Sequence, residues 1–358
     1  MRGPNGMAWG GNFDALRTFA AFVVIAGNGY VLTGAPGRGW WGAPLARVGL
    51  DLFFSISGYL ATASWERAPR PGRYLVRRAL RLFPGLVACV FFTVAVVGPL
   101  ATQLTPRQYA LNGMTLRYLG NIVLYQQLWL PLVFQGQQWS GAVNPMLWTL
   151  VPGALCCLTV PVIAWLPKAW RAGTLVAGAA LCATASLVLP AIQAALPLRF
   201  YRVSVVEMLT EVPFFLVGSL LRLREGRVRD LWRADLAMLC FAANWVVATW
   251  LGAWDIVLEW VTLPYMAICF GHMAAPLIGR LGRLGNPSYG LYLYAFPVQQ
   301  LIVARMPSDP HPILTCVALT MPLAFLSWYL VERPALRWAE PGGTSRPWLG
   351  PVASRAMP

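Results

Sequence analysis

The chain has 358 residues, of which 58% are hydrophobic and only 11% charged, with a mean hydropathy of +0.57. A soluble domain carries about 25% charged residues, so this composition excludes a soluble globular protein and points to the multi-pass membrane class. A net charge of +15 does not call for nucleic acid as a partner, because arginines held on the cytoplasmic side of a bilayer orient its helices.

Apolar stretches able to cross roughly 30 Å of hydrocarbon fall at 16–34, 47–63, 82–101, 145–166, 172–189, 204–221, 233–251, 257–273, 289–304 and 312–331. They predict an all-α integral membrane bundle of about ten transmembrane helices. The first run lacks an A-x-A-like cleavage site and reads as a retained helix. With the N-terminus placed in the cytoplasm, 21 arginines and lysines fall on the cytoplasmic side and 7 outside, which predicts both termini cytoplasmic.

The second span carries Asp51 and runs into a hairpin with Arg67, Arg70, Arg73, Arg77, Arg78 and Arg81. An intramembrane carboxylate usually pairs with a cation, here Arg17 or Arg47. The connection Thr102–Asn144 (YQQLWLPLVFQGQQWSGAVNP within it) is rich in aromatic and amide side chains, which suit a sugar ring and equally an interfacial belt. Pro213 and Pro297 interrupt the sixth and ninth spans, where a broken helix around a cavity is one outcome. Glu207 and Glu211, four residues apart, share a helical face, and Glu259 opens the eighth span. Tyr289, Tyr292 and Tyr294 either line a cavity or pack, and Ser288 reads as a helix cap or a ligand. The seven cysteines lie in apolar stretches and read as small buried hydrophobes. The two histidines, His272 and His311, have no metal-ligand spacing, so no metal is expected. Residues 1–340 form one transmembrane domain, and 341–358 a Pro/Gly-rich tail expected to be disordered.

Four stretches together resemble the acyltransferase-3 family of bacterial inner-membrane O-acyltransferases: FDALRTFAAFVVIAGNGYVLTG, VGLDLFFSISGYL, RRALRLFP and PSYGLYLYAFPVQQ, supported by AVNPMLWTL and VERPALRW. The resemblance implies transfer of an acyl group, often acetyl in this family, from acyl-CoA to a hydroxyl of a carbohydrate or cell-envelope glycan. No bound cofactor is implied, and the setting is the bacterial inner membrane. In that family an arginine in the first helix is followed, after ten residues, by a histidine regarded as the catalytic base; here these positions hold Arg17 and Asn28. An amide cannot take a proton near neutral pH, so a helix-packing role for Asn28 is the alternative. LWTLVPG places Gly153 where relatives carry a carboxylate, and Trp148 in the same stretch reads as an acceptor or cavity residue, with Tyr289, Tyr292, Glu207 and Glu211. Asp51 matches the family's acidic residue. The RxxR element survives as Arg78 and Arg81 beside Arg77, and implies a seat for acyl-CoA phosphates; a positive-inside anchor explains the same residues. A catalytically inactive binding protein and a transporter built on broken helices are the competing readings.

Overall fold

A computed structural model describes residues 10–35, 37, 39–137, 141–193, 197–251, 255–273 and 285–338. The expected tail at 341–358 lies outside the described residues. Each stretch read as a span coincides with a helix: α1 Gly10–Thr33, α2 Leu45–Arg67, α3 Pro71–Phe92, α4 Leu150–Trp165, α5 Lys168–Val188, α6 Val205–Leu223, α7 Ala234–Leu251, α8 Asp255–His272, α9 Ser288–Arg305 and α10 Pro312–Ser327. Among the described residues, six segments are long and apolar enough to cross a membrane: those of α1, α3, α4, α5, α7 and α10. The structure thus defines a helical, multi-pass membrane architecture, with six such segments where ten are expected from the sequence. Two two-stranded ribbons, Gly39–Trp40 with Ala43–Pro44 and Arg199–Phe200 with Val203–Ser204, are the sheet present among the described residues.

Two helices outside that set, α2 and α9, form the centre. Sixteen residues of α2 and thirteen of α9 are buried, and they carry the polar groups Asp51, Ser55, Thr62, Ser64, Gln299 and Gln300. A helix enclosed by other helices can carry polar side chains that lipid would reject. The segments of α5 and α7 are only 17% and 6% buried, and form the periphery.

Close approach of α2 and α6 depends on glycine. A Cβ on Gly58 would lie 1.9 Å from the Phe215 carbonyl oxygen, and one on Gly218 would lie 2.2 Å from that of Ser55. Ser219 Oγ then donates to the Gly58 carbonyl at 3.2 Å. Small residues that let backbones touch drive helix association where hydrophobic collapse has no purchase.

Neither suspect proline breaks its helix; both lie inside continuous α6 and α9. Pro297 has no N–H for the Leu293 carbonyl, and Asn144 Nδ2 supplies the missing donor at 2.9 Å. The irregular turns lie elsewhere: π-helical segments at Thr93–Val97, after α3, and at Trp328–Glu332, after α10.

Candidate active site

A cavity of about 390 Å³ lies between α1, α2, α3, α4 and α9. Its wall includes Arg17 from α1, Arg78 and Arg81 from α3, Gly153 from α4, and Ser288, Tyr289 and Tyr292 from α9. The remaining wall is largely apolar, with Leu50, Phe53 and Phe54 from α2 and Phe215 from α6.

Three guanidinium groups therefore face one space. Arg78 Nη2 donates to the Leu60 carbonyl at 3.1 Å, and its guanidinium lies 5.4 Å from the centre of the Tyr74 ring. Its buried Nε has no hydrogen-bond partner. Arg81 sits 5.7 Å from the Trp328 ring centre. Asp14, one turn from Arg17, accepts from Asn286 Nδ2 at 2.6 Å, and Asn286 Oδ1 accepts from Ser288 Oγ at 2.5 Å. This chain of bonds ties the start of α9 to α1 beside the arginines. Tyr289 donates to the Leu82 carbonyl at 2.8 Å. Tyr292 donates to the Met146 carbonyl at 2.7 Å, with Thr149 Oγ1 at 2.5 Å from its hydroxyl. Both tyrosines are thus held by hydrogen bonds, while Ser288 bonds locally and also lines the cavity.

Gly153 faces this space with nothing within 4 Å of the point a Cβ would occupy, so the position where the sequence resemblance leads one to expect a carboxylate opens onto the cavity. Asn28 does not line it. Asn28 is buried at the far end of α1 from Arg17, about 16 Å away along the axis, between Gly27, packed on the start of α2, and Gly29, packed on Ile313 and Gln299. Arg77 also lies off the cavity, its Nε donating to the Arg73 carbonyl at 3.3 Å. Trp148 packs with Val151, Val203 and Met208 instead of entering the site.

A second polar cluster lies beside the cavity wall, off its lining. Asp51 precedes Phe54 by three residues on α2, and Glu211 precedes Phe215 by four on α6; both phenylalanines line the cavity. Asp51 and Glu211 are both buried, on helices α2 and α6 that cross in close contact. Arg47 Nε is 3.8 Å from Asp51, its Nη2 is 3.9 Å from Glu259, and Trp41 Nε1 donates to Glu259 at 2.8 Å. The partner of Asp51 is accordingly Arg47, not Arg17. Glu207 is exposed and stays outside this group. Sequence spacing alone has no means of joining residues 51, 211 and 259. On the opposite side of α2, His272 is 2.7 Å from the Tyr59 hydroxyl and stacks on Trp232 at 5.5 Å, a packed position away from the cavity.

The fold and this cavity define a membrane-embedded protein with a basic, hydroxyl-lined internal site. The chain belongs to the acyltransferase-3 family, whose acyltransferase-domain model matches residues 11–332. It is similar to the O-acetyl transferase of Shigella phage Sf6, 25% identical over 92% of this chain and 97% of that protein. It is also similar to nodulation protein 10 of Rhizobium leguminosarum bv. viciae, 28% identical over 91% and 93% of the two chains. No solved structure matches it.

Proposed function

We propose that this protein transfers an acyl group, acetyl by the name of its phage relative, from acyl-CoA to a hydroxyl of a carbohydrate or cell-envelope glycan. The observation that carries the reading is the convergence of Arg17, Arg78 and Arg81 on one cavity, with a buried Arg78 Nε left without a partner. Guanidinium groups match phosphate geometry, and an unpaired buried donor is satisfied when an anionic oxygen arrives. CoA phosphates supply such oxygens.

In the reaction the acceptor oxygen attacks the thioester carbonyl, a C–O bond forms, the C–S bond breaks, and the hydroxyl proton ends on the CoA sulfur. Tyr292 and Ser288 lie at the cavity wall with their protons given to the Met146 carbonyl and Asn286 Oδ1, so their oxygens are suited to accepting a hydrogen bond from the acceptor hydroxyl and orienting it. Asn28 cannot be the base. The buried carboxyl groups Asp51 and Glu211 adjoin the wall residues Phe54 and Phe215 without lining the cavity, and we assign the acid–base role to them, with one intervening water to carry the proton. The protein works in the bacterial inner membrane, with both termini and the Arg67–Arg81 hairpin cytoplasmic, where acyl-CoA is available.

A second reading, a non-catalytic member that binds acyl-CoA or glycan, is favoured by Asn28 and Gly153 at positions where relatives carry ionisable groups. Single-turnover incubation of membranes with radiolabelled acetyl-CoA separates the two. Transfer of label to a carbohydrate fraction, lost in Arg81→Ala, is the expected result; CoA binding without transfer selects the second reading.

A further inference from the structure

The cavity is not sealed. Of the residues that line it, the exposed ones are Leu75 (38%), Phe83 (36%) and Leu158 (47%), from α3 and α4. All three are apolar; Leu75 stands between Arg73 and Arg77 in the arginine hairpin, whereas Phe83 and Leu158 lie on the apolar runs of α3 and α4, both long and apolar enough to span a membrane. An opening framed by such side chains on such helices gives onto hydrocarbon, since apolar surface of this kind is stable against lipid and costly against water. Inside the opening, Gly153 leaves the passage clear, with nothing within 4 Å of where a side chain would begin. The arginines lie along the same cavity, so charge and apolar wall form one continuous amphipathic channel.

We infer that the cavity binds an amphiphile, a phosphorylated head joined to a hydrocarbon chain, with the head at Arg17, Arg78 and Arg81 and the chain leaving between α3 and α4 into the bilayer. The inference rests on the proposed reading of these arginines as a phosphate seat. Two sources share the chemistry: an acyl-CoA with a chain longer than acetyl, and a polyprenyl phosphate that carries the saccharide. Gly153 and Leu158 then set which chains pass.

The test uses the full chain in phosphatidylcholine nanodiscs, with acetyl-CoA, decanoyl-CoA and decaprenyl phosphate as probes, against wild type and Leu158→Trp. Burying two further methylenes already suffices for about a tenfold gain in affinity. Decanoyl-CoA, decaprenyl phosphate or both should therefore bind at least about tenfold more tightly than acetyl-CoA, and Leu158→Trp should erase that advantage, bringing the tailed probes to the affinity of acetyl-CoA for the same variant. The probe that shows the effect identifies the source. Tail-dependent binding of decaprenyl phosphate with no binding of either CoA ester would uphold the lateral opening and defeat the acyl-CoA reading. Equal affinity for tailed and tailless CoA esters, with no binding of decaprenyl phosphate, would overturn the opening itself. Should Leu158→Trp not fold, a photoreactive diazirine at the end of the decanoyl chain replaces it. Cross-links on α3 and α4 near Phe83 or Leu158 uphold the path, and cross-links confined to other helices overturn it.

Discussion

Gly153 and Asn28 stand at the two positions where the sequence resemblance leads one to expect ionisable groups, yet their surroundings differ. Gly153 opens onto the cavity, whereas Asn28 is buried between α1, α2 and the α9–α10 pair. Asn28→His should consequently change the rate of acyl transfer by less than about threefold. A positioned base contributes roughly a hundredfold to ten-thousandfold, so a gain of that size on adding imidazole at 28 would mean that the reacting atoms lie there and not in the cavity. Glu211 is the converse case. Glu211→Gln preserves the shape of the side chain beside Asp51 but removes its capacity to exchange a proton. It should leave protein yield and thermal stability near wild type while lowering the single-turnover rate by at least about a hundredfold. Retained activity with a normal pH profile would reduce the pair to a packing role. The sequence identifies Asp51, Glu211 and Glu259 as separate intramembrane acids, but their meeting around Arg47 depends on how α2, α6 and α8 pack, which no local spacing encodes.

Helix positions are legible in the sequence because long apolar runs and the arginine-rich hairpin leave few alternatives. The count of membrane-spanning segments is not, because α2 and α9 are shielded by neighbours and therefore follow a different compositional rule from α5 and α7. Prolines mislead for a related reason. Pro297 reads as a breaker in isolation, yet Asn144 reaches across from a distant segment to occupy the Leu293 carbonyl. Asn144→Ala leaves that carbonyl only the weak Cys89 Sγ donor at 3.3 Å, a loss of about 0.5–1.5 kcal/mol that fluorescence-detected thermal unfolding should read as a lowered midpoint. The π-helical segments at Thr93–Val97 and Trp328–Glu332 carry no comparable signal in composition. At the α2–α6 crossing, Gly58→Val places atoms where the Phe215 carbonyl already lies. Overpacking of that kind costs about 1–3 kcal/mol or more, and should cut the yield of monodisperse protein, whereas Gly153→Ala, facing open space, should not.

Across the whole molecule, the proposed reading divides the labour between the three cavity arginines, assigned to donor phosphates, and the acids beyond Phe54 and Phe215, assigned to proton handling, with Ser288 and Tyr292 along the wall. The proposed orientation puts Arg70 in the cytoplasm and Gln108 outside. In intact cells, an impermeant thiol reagent should label Gln108→Cys and spare Arg70→Cys, each compared with the wild-type cysteine background; the opposite pattern inverts the topology. The central claim is that the arginines seat the phosphates of an acyl donor, and it is tested most directly by the dissociation constant of acetyl-CoA for purified wild type and Arg78→Ala/Arg81→Ala. Hydrogen bonds to charged groups contribute about 1.5–3 kcal/mol each, so the account predicts a loss of about tenfold to a hundredfold for each arginine removed, with the fold intact. An unchanged dissociation constant in the folded double variant would contradict it.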